Sequence, residues 1–123
     1  MKTQFHKDTL ASELVDYKSD NPSGLEFSKK NLHHFCSPLF LKAMYVLFDK
    51  NIQTISCGSG KERGILPGIT CNFDTLTEEN KSIAKDLIIS ESQFRIGSPI
   101  DSNTTLEQFE KALMEIVDKF KSQ

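Results

Sequence analysis

Between Leu39 and Phe48 every residue except Lys42 is apolar. Nine apolar residues in a run of ten are too many for an ordinary strand, and a helix apolar around nearly its whole circumference has no face to offer water, so this segment must sit at the centre of a core. Ser37-Pro38 just before it supplies a capping hydroxyl and a proline at the first helical position, where the missing N–H is not needed. The rest of the fold has to be read as whatever surrounds that helix.

The strongest partner lies near the C-terminus. Leu106, Phe109, Leu113, Ile116, Val117 and Phe120 recur at helical intervals behind Thr104-Thr105-Leu106-Glu107, which has capping-box spacing. Thr75-Leu76-Thr77-Glu78 repeats the spacing and places Leu76, Ile83, Leu87 and Ile88 on one face of another helix. Leu10, Leu14 and Tyr17 predict a first helix of about three turns ending near Lys18, ahead of the breakers Asn21-Pro22-Ser23-Gly24. Residues 25–36 carry a mixed pattern that favours no single element.

Three segments read as strands. Residues 52–57 are rich in β-branched side chains, residues 65–73 follow after a polar loop, and the two should pair as an antiparallel hairpin. Residues 93–97 are the third strand, joined to the second through a helix by a right-handed connection if the two lie parallel. The expectation is a single α+β domain over residues 1–123: a small three-stranded sheet, hairpin plus one strand, packed against about four helices. Its core should comprise Leu39, Phe40, Ala43, Met44, Leu47, Ile55, Phe73, Ile83, Leu87, Phe109, Leu113 and Ile116.

Composition agrees with a compact chain. With 123 residues, 37% of them hydrophobic, and nine Phe, the chain is too apolar for a disordered tail, and no window approaches the roughly 20 apolar residues of a spanning helix. The opening Met1-Lys2-Thr3-Gln4-Phe5-His6 has no apolar run of signal-peptide length. Cys36, Cys57 and Cys71 are odd in number and widely spaced, which fits reduced thiols in a cytoplasmic protein and predicts no disulfide. The net charge of -2 disfavours generic binding to nucleic acid or anionic lipid. Charge is uneven along the chain: residues 1–73 carry +2 and residues 74–123 carry -4.

Chemistry-bearing candidates are few. Gly58-Ser59-Gly60-Lys61-Glu62-Arg63-Gly64 has glycines and cations that suit an anion, but Ile55 and Glu62 occupy the places where a nucleotide P-loop needs glycine and Ser or Thr. Its expected form is a flexible hairpin loop, with partner contact or anion binding through Lys61 and Arg63 as the functional readings. His33, His34 and Cys36 with Cys57 and Cys71 have zinc-ligand chemistry without the paired spacing of a structural site, and no metal or other cofactor is expected. Cys57, where a strand runs into glycines, is the thiol to consider as a nucleophile, with His33 or His34 as its base. Glu78 and Glu79 fit a helix N-terminus, so a carboxylate pair with Asp74 or Asp86 is not needed to explain them. Glu107, Glu110, Glu115 and Asp118 lie off the apolar stripe of the last helix as a solvated face.

From Ser37 through Lys85 the succession of a buried helix, a strand ending Ser56-Cys57-Gly58, a polar loop, and a strand running to Asp74 before a capped helix resembles small bacterial proteins. Size, layout and the lack of a catalytic motif resemble the immunity proteins of contact-dependent growth inhibition and related toxin systems. The resemblance implies a cytoplasmic interaction module, antitoxin-like, that binds and neutralises a cognate toxin. Were that toxin basic, as a nuclease domain is, Asp74, Glu78, Glu79, Glu107, Glu110, Glu115 and Asp118 would supply the steering charge, with Lys61 and Arg63 as a second contact. The alternative is a small enzyme or anion-binding domain built on Cys57 and the glycine-rich loop 58–64.

Overall fold

The computed structural model describes residues 6–16, 28, 30 and 36–123. Its elements in chain order are helix α1 (Ala11–Leu14), helix α2 (Pro38–Asp49), strands β1 (Thr54–Gly58) and β2 (Gly68–Asn72), helix α3 (Glu78–Ala84), strands β3 (Ile88–Ser90) and β4 (Gln93–Gly97), and helix α4 (Leu106–Val117). Single 3-10 turns occupy Lys61–Arg63 and Lys85–Leu87. The class is α+β, with one antiparallel sheet in the order β1-β2-β4-β3.

Helix α2 forms as its sequence requires. The Leu39 N–H donates to Ser37 Oγ at 3.2 Å, Pro38 takes the first helical position, and Leu39, Phe40, Ala43, Met44 and Leu47 are all buried. Ser37 Oγ in turn donates to the Leu14 carbonyl, tying the cap of α2 to the last turn of α1. At the other end Asn51 adopts φ +61°. There the Asn51 N–H bonds the Phe48 carbonyl and the Ile52 N–H the Leu47 carbonyl, so the helix closes with a left-handed residue and an apolar contact beneath it.

Helix α4 packs on α2, with Phe40 and Phe109 edge to face at 5.8 Å. Both helices cover the sheet face formed by Ile69, Cys71, Phe94 and Ile96, and Phe120 stacks on Phe94 at 5.6 Å. Lys50 Nζ donates to the carbonyls of Val117 and Phe120, satisfying the end of α4 with a cation where the helix dipole favours one. The capping box of α4 uses Thr105 and Gln108, one residue later than Thr104 and Glu107. Likewise Thr77, not Thr75, caps α3. In each sequence two threonines satisfy a similar spacing, and the backbone selects the one nearer the helix.

The sheet corrects the three-stranded expectation. The helical pattern drawn through Leu87 and Ile88 stops at Ala84; a 3-10 turn then delivers Ile88 and Ile89 into an extended strand that returns to β4 across Glu91-Ser92. An apolar run with two β-branched residues serves either period, and pairing to β4 decides it. β4 is antiparallel to β2, so the parallel crossover does not arise.

Helix α1 is one turn, not three: Leu10 pairs with Thr105 as an isolated bridge, and the bonds Ala11 N–H to Thr104 carbonyl and Leu106 N–H to Thr9 carbonyl fasten this segment to the start of α4. Tyr17, Lys18, the breaker cluster, and residues 25–35 apart from Ser28 and Lys30 lie outside the described residues. Ile55, expected in the core, is 44% exposed. A register shift between Thr54 and Ser56 leaves it unpaired at the sheet edge, while Cys57, opposite the buried Ile69, keeps its place against the core. Phe73, Ile83, Leu87 and Ile116 are only partly buried, packed against the core from its rim.

Candidate functional site

Beyond β1 the loop folds into a hydrogen-bonded turn. Gly60 and Gly64, at φ +73° and +67°, bracket the Lys61–Arg63 turn, whose closure is made by Gly60 carbonyl accepting from the Arg63 and Ile65 N–H groups. At Gly60 a side chain would be strained by the backbone angle and would also meet the Ile65 carbonyl.

Arg95 holds this turn down. It lies on β4 opposite Thr70, on the sheet face turned away from Phe94 and Ile96, yet is only 8% exposed. Its Nε donates to the Leu66 carbonyl at 2.7 Å, Nη1 to Thr70 Oγ1 at 2.7 Å and Nη2 to the Gly58 carbonyl at 2.8 Å. Gly58 and Leu66 are the two ends of the loop, so one planar guanidinium clasps both. Burial pushes Arg95 below its usual value, Arg63 pushes the same way, and Cys57 and Cys71 oppose. No carboxylate pairs with Arg95 among the described residues.

The turn walls a cleft of about 610 Å³. Arg95, Lys61 and Arg63 line it with Cys57, Ser59 and the α1-side residues Val15 and Asp16, and Glu62 adds a second carboxylate. Cys57 Sγ lies 2.7 Å from Cys36 Sγ. Cys71 is separate in character: burial within the sheet pushes its thiol up to about 12, with Arg95 opposing weakly. Three of the residues singled out in the sequence, Cys57, Lys61 and Arg63, therefore share one concavity. His33 and His34 lie outside the described residues, and among the described residues no group of three or more His, Cys, Asp or Glu is placed to hold a metal.

The acidic candidates occupy a second surface. Glu78 and Glu79 are exposed on the first turn of α3, just after Asp74, which is also exposed. Asn80, fully buried, donates to the Lys121 carbonyl and accepts from the Lys121 N–H, so that turn abuts the chain just beyond Asp118. Gln123 extends the join, accepting from the Thr77 N–H and donating to the carbonyls of Asn51 and Thr75. Along α4, Glu107, Glu115 and Asp118 face water. Lys7 pairs with Glu107 at 3.6 Å and Lys81 with Glu78 at 3.6 Å; among the described residues Asp74, Glu79, Glu115 and Asp118 make no salt bridge. Glu110 departs from the solvated face expected of it. It is half-buried, and burial pushes its carboxyl up, with Glu107 adding and Lys42 and Lys7 opposing.

Arg95 was not among the sequence candidates, and Cys36 was weighed only as a zinc ligand, not as a neighbour of Cys57. The signal for Arg95 was its place in a Phe94-Arg95-Ile96 alternation, which normally sends the cation to water; only the folded-back loop buries it. No helix among the described residues is long and apolar enough to cross a membrane. No family model matches this chain, and neither a curated protein nor a solved structure matches it.

Proposed function

We propose that this chain is a protein-interaction module of the immunity or antitoxin kind, which binds a cognate toxin and covers the surface that toxin needs. The observation that carries the reading is a set of exposed carboxylates without ion pairs among the described residues: Asp74 in the turn ahead of α3, Glu79 on its first turn, Glu115 on α4 and Asp118 just after it, two regions joined through Asn80 and Lys121. Exposed carboxylates on a preformed surface steer a basic partner, and the exposed Lys111, Lys119 and Lys121 interleaved with them help fix its register, while little conformational freedom is lost on docking. A nuclease domain is such a partner, because the surface that grips phosphates is itself cationic.

The test is co-expression with the products of the reading frames flanking its gene. A stoichiometric complex that protects cells from one of those products supports the reading; absence of any complex and of protection overturns it. A second reading, a small enzyme or anion-binding domain, is favoured by the convergence of Lys61, Arg63 and Arg95 beside Cys57 in one cleft. Charge reversal separates the two. If K61E/R63E abolishes protection and E115K/D118K leaves it intact, the working surface is the cleft.

A further inference from the structure

Two cysteines 21 positions apart meet where one of them, Cys57, lines the cleft. Cys36 immediately precedes the Ser37 cap of α2, and Cys57 lies near the end of β1. Their sulfurs, 2.7 Å apart, are well inside van der Waals separation and outside the roughly 2.05 Å of a disulfide bond. The two differ in access. Cys36 is 1% exposed, whereas Cys57 is partly exposed and forms part of the cleft wall. Three cations, Lys61, Arg63 and Arg95, share that wall with two carboxylates, Asp16 and Glu62. Cys71, sealed in the sheet, is excluded from the same chemistry by its burial.

We propose that Cys57 and Cys36 are a two-cysteine redox site, Cys57 the entry thiol and Cys36 the resolving thiol, whose co-reactant is a low-molecular-weight disulfide bearing carboxylates. Cys57 gives its proton to solvent and attacks one sulfur of that disulfide. The small S–S bond breaks, a mixed disulfide forms on Cys57, and one small thiolate leaves and takes up a proton. Cys36 then loses its proton and attacks the Cys57 sulfur, expelling the second small thiolate, which is protonated in turn. Two protein thiols are oxidised to one disulfide and one small disulfide is reduced to two thiols, so electrons and protons balance. A short approach of Cys36 toward Cys57 completes the bond, which pins the cap of α2, and through Ser37 the last turn of α1, to the sheet edge. The site stands independently of the partner reading.

The experiment treats the reduced full chain with oxidised glutathione or, at equal concentration, with the cationic disulfide cystamine, and follows intact mass, free thiols and mapped peptides. The expected result is a fall from three reduced thiols to one, a Cys36–Cys57 cross-linked peptide with Cys71 still reduced, and return to three thiols on adding dithiothreitol. C36S should stop at a glutathione adduct on Cys57. K61E/R63E should slow the reaction with oxidised glutathione by about tenfold and spare that with cystamine. Peptide mapping on the unmutated protein needs no variant to fold. Finding all three thiols still reduced in the native chain, while the same oxidant cross-links it once unfolded, overturns the proposal, as does a stable Cys57 adduct that never resolves onto Cys36.

Discussion

Replacing Arg95 by Ala removes three donors at once, from the Gly58 and Leu66 carbonyls and from Thr70 Oγ1. The Thr70 acceptor is buried and the two carbonyls are partly so, and at about 1–3 kcal/mol per fully buried orphan acceptor the gross loss is at most about 3–9 kcal/mol. Two effects offset it. The wild-type chain holds a largely buried cation with no carboxylate beside it, a desolvation of several kcal/mol that the variant escapes, and water entering the opened cleft re-satisfies part of the loop. The net expectation is a loss of about 2–4 kcal/mol, or a fall in Tm of about 6–20 °C for a chain this size. Circular dichroism on heating and in urea measures it. Amide exchange should show the reason: the Arg63 and Ile65 N–H groups, bonded to the Gly60 carbonyl, lose protection while those of α4 follow the global change. Arg95→Lys keeps the charge without the planar fork and should recover only part of the loss. A Tm for R95A within about 2 °C of wild type, with loop protection unchanged, would refute the claim that this guanidinium clasps the loop.

Leu113→Ala, at a position with no exposure between α2 and α4, should cost about 2–5 kcal/mol in urea unfolding. Glu110→Gln should stabilise the protein at neutral pH: burial holds its carboxyl above the ordinary 4.5, so ionisation costs stability progressively as the pH rises from 4.5 through that raised value and in full above it. The gain should vanish below pH 4.5, where folded and unfolded chains are both protonated, and an equal gain at every pH would contradict the assignment. Iodoacetamide at pH 8 should leave Cys71 unmodified in the native protein, since its thiol is pushed up to about 12, and should label it quickly in denaturant.

How far the sequence reaches depends on which contacts decide each element. Helices α2 and α4 were legible because their evidence is local: Ser37-Pro38 before an apolar run, and an unbroken stripe from Leu106 to Phe120. β4 was legible in full as residues 93–97. β3 was not, because Leu87-Ile88-Ile89 fits helix and strand alike until β4 pairs with it. Ile55 was read inward by alternation, and a one-residue register shift turned it outward. At the candidate sites, residue types were visible and their company was not. Cys57, Lys61 and Arg63 stood out, but their convergence depends on Arg95 reaching back across the sheet to Gly58 and Leu66, and on Cys36 arriving from 21 residues upstream. Glu110 looked like its helix neighbours and differs through its burial, against which Lys42 and Lys7 act.

The most direct test of the interaction reading is the association rate with the partner recovered by co-expression, measured by stopped flow across a range of salt for the wild type and for E79K/E115K/D118K. The account predicts fast association that falls steeply as salt rises. It predicts at least about tenfold slower, nearly salt-independent association for the triple variant, with its urea midpoint little changed, since exposed helix charges affect folding by less than about 0.5 kcal/mol each. Equal rates and equal salt slopes for the two proteins would contradict it and remove the acidic helices from the interface.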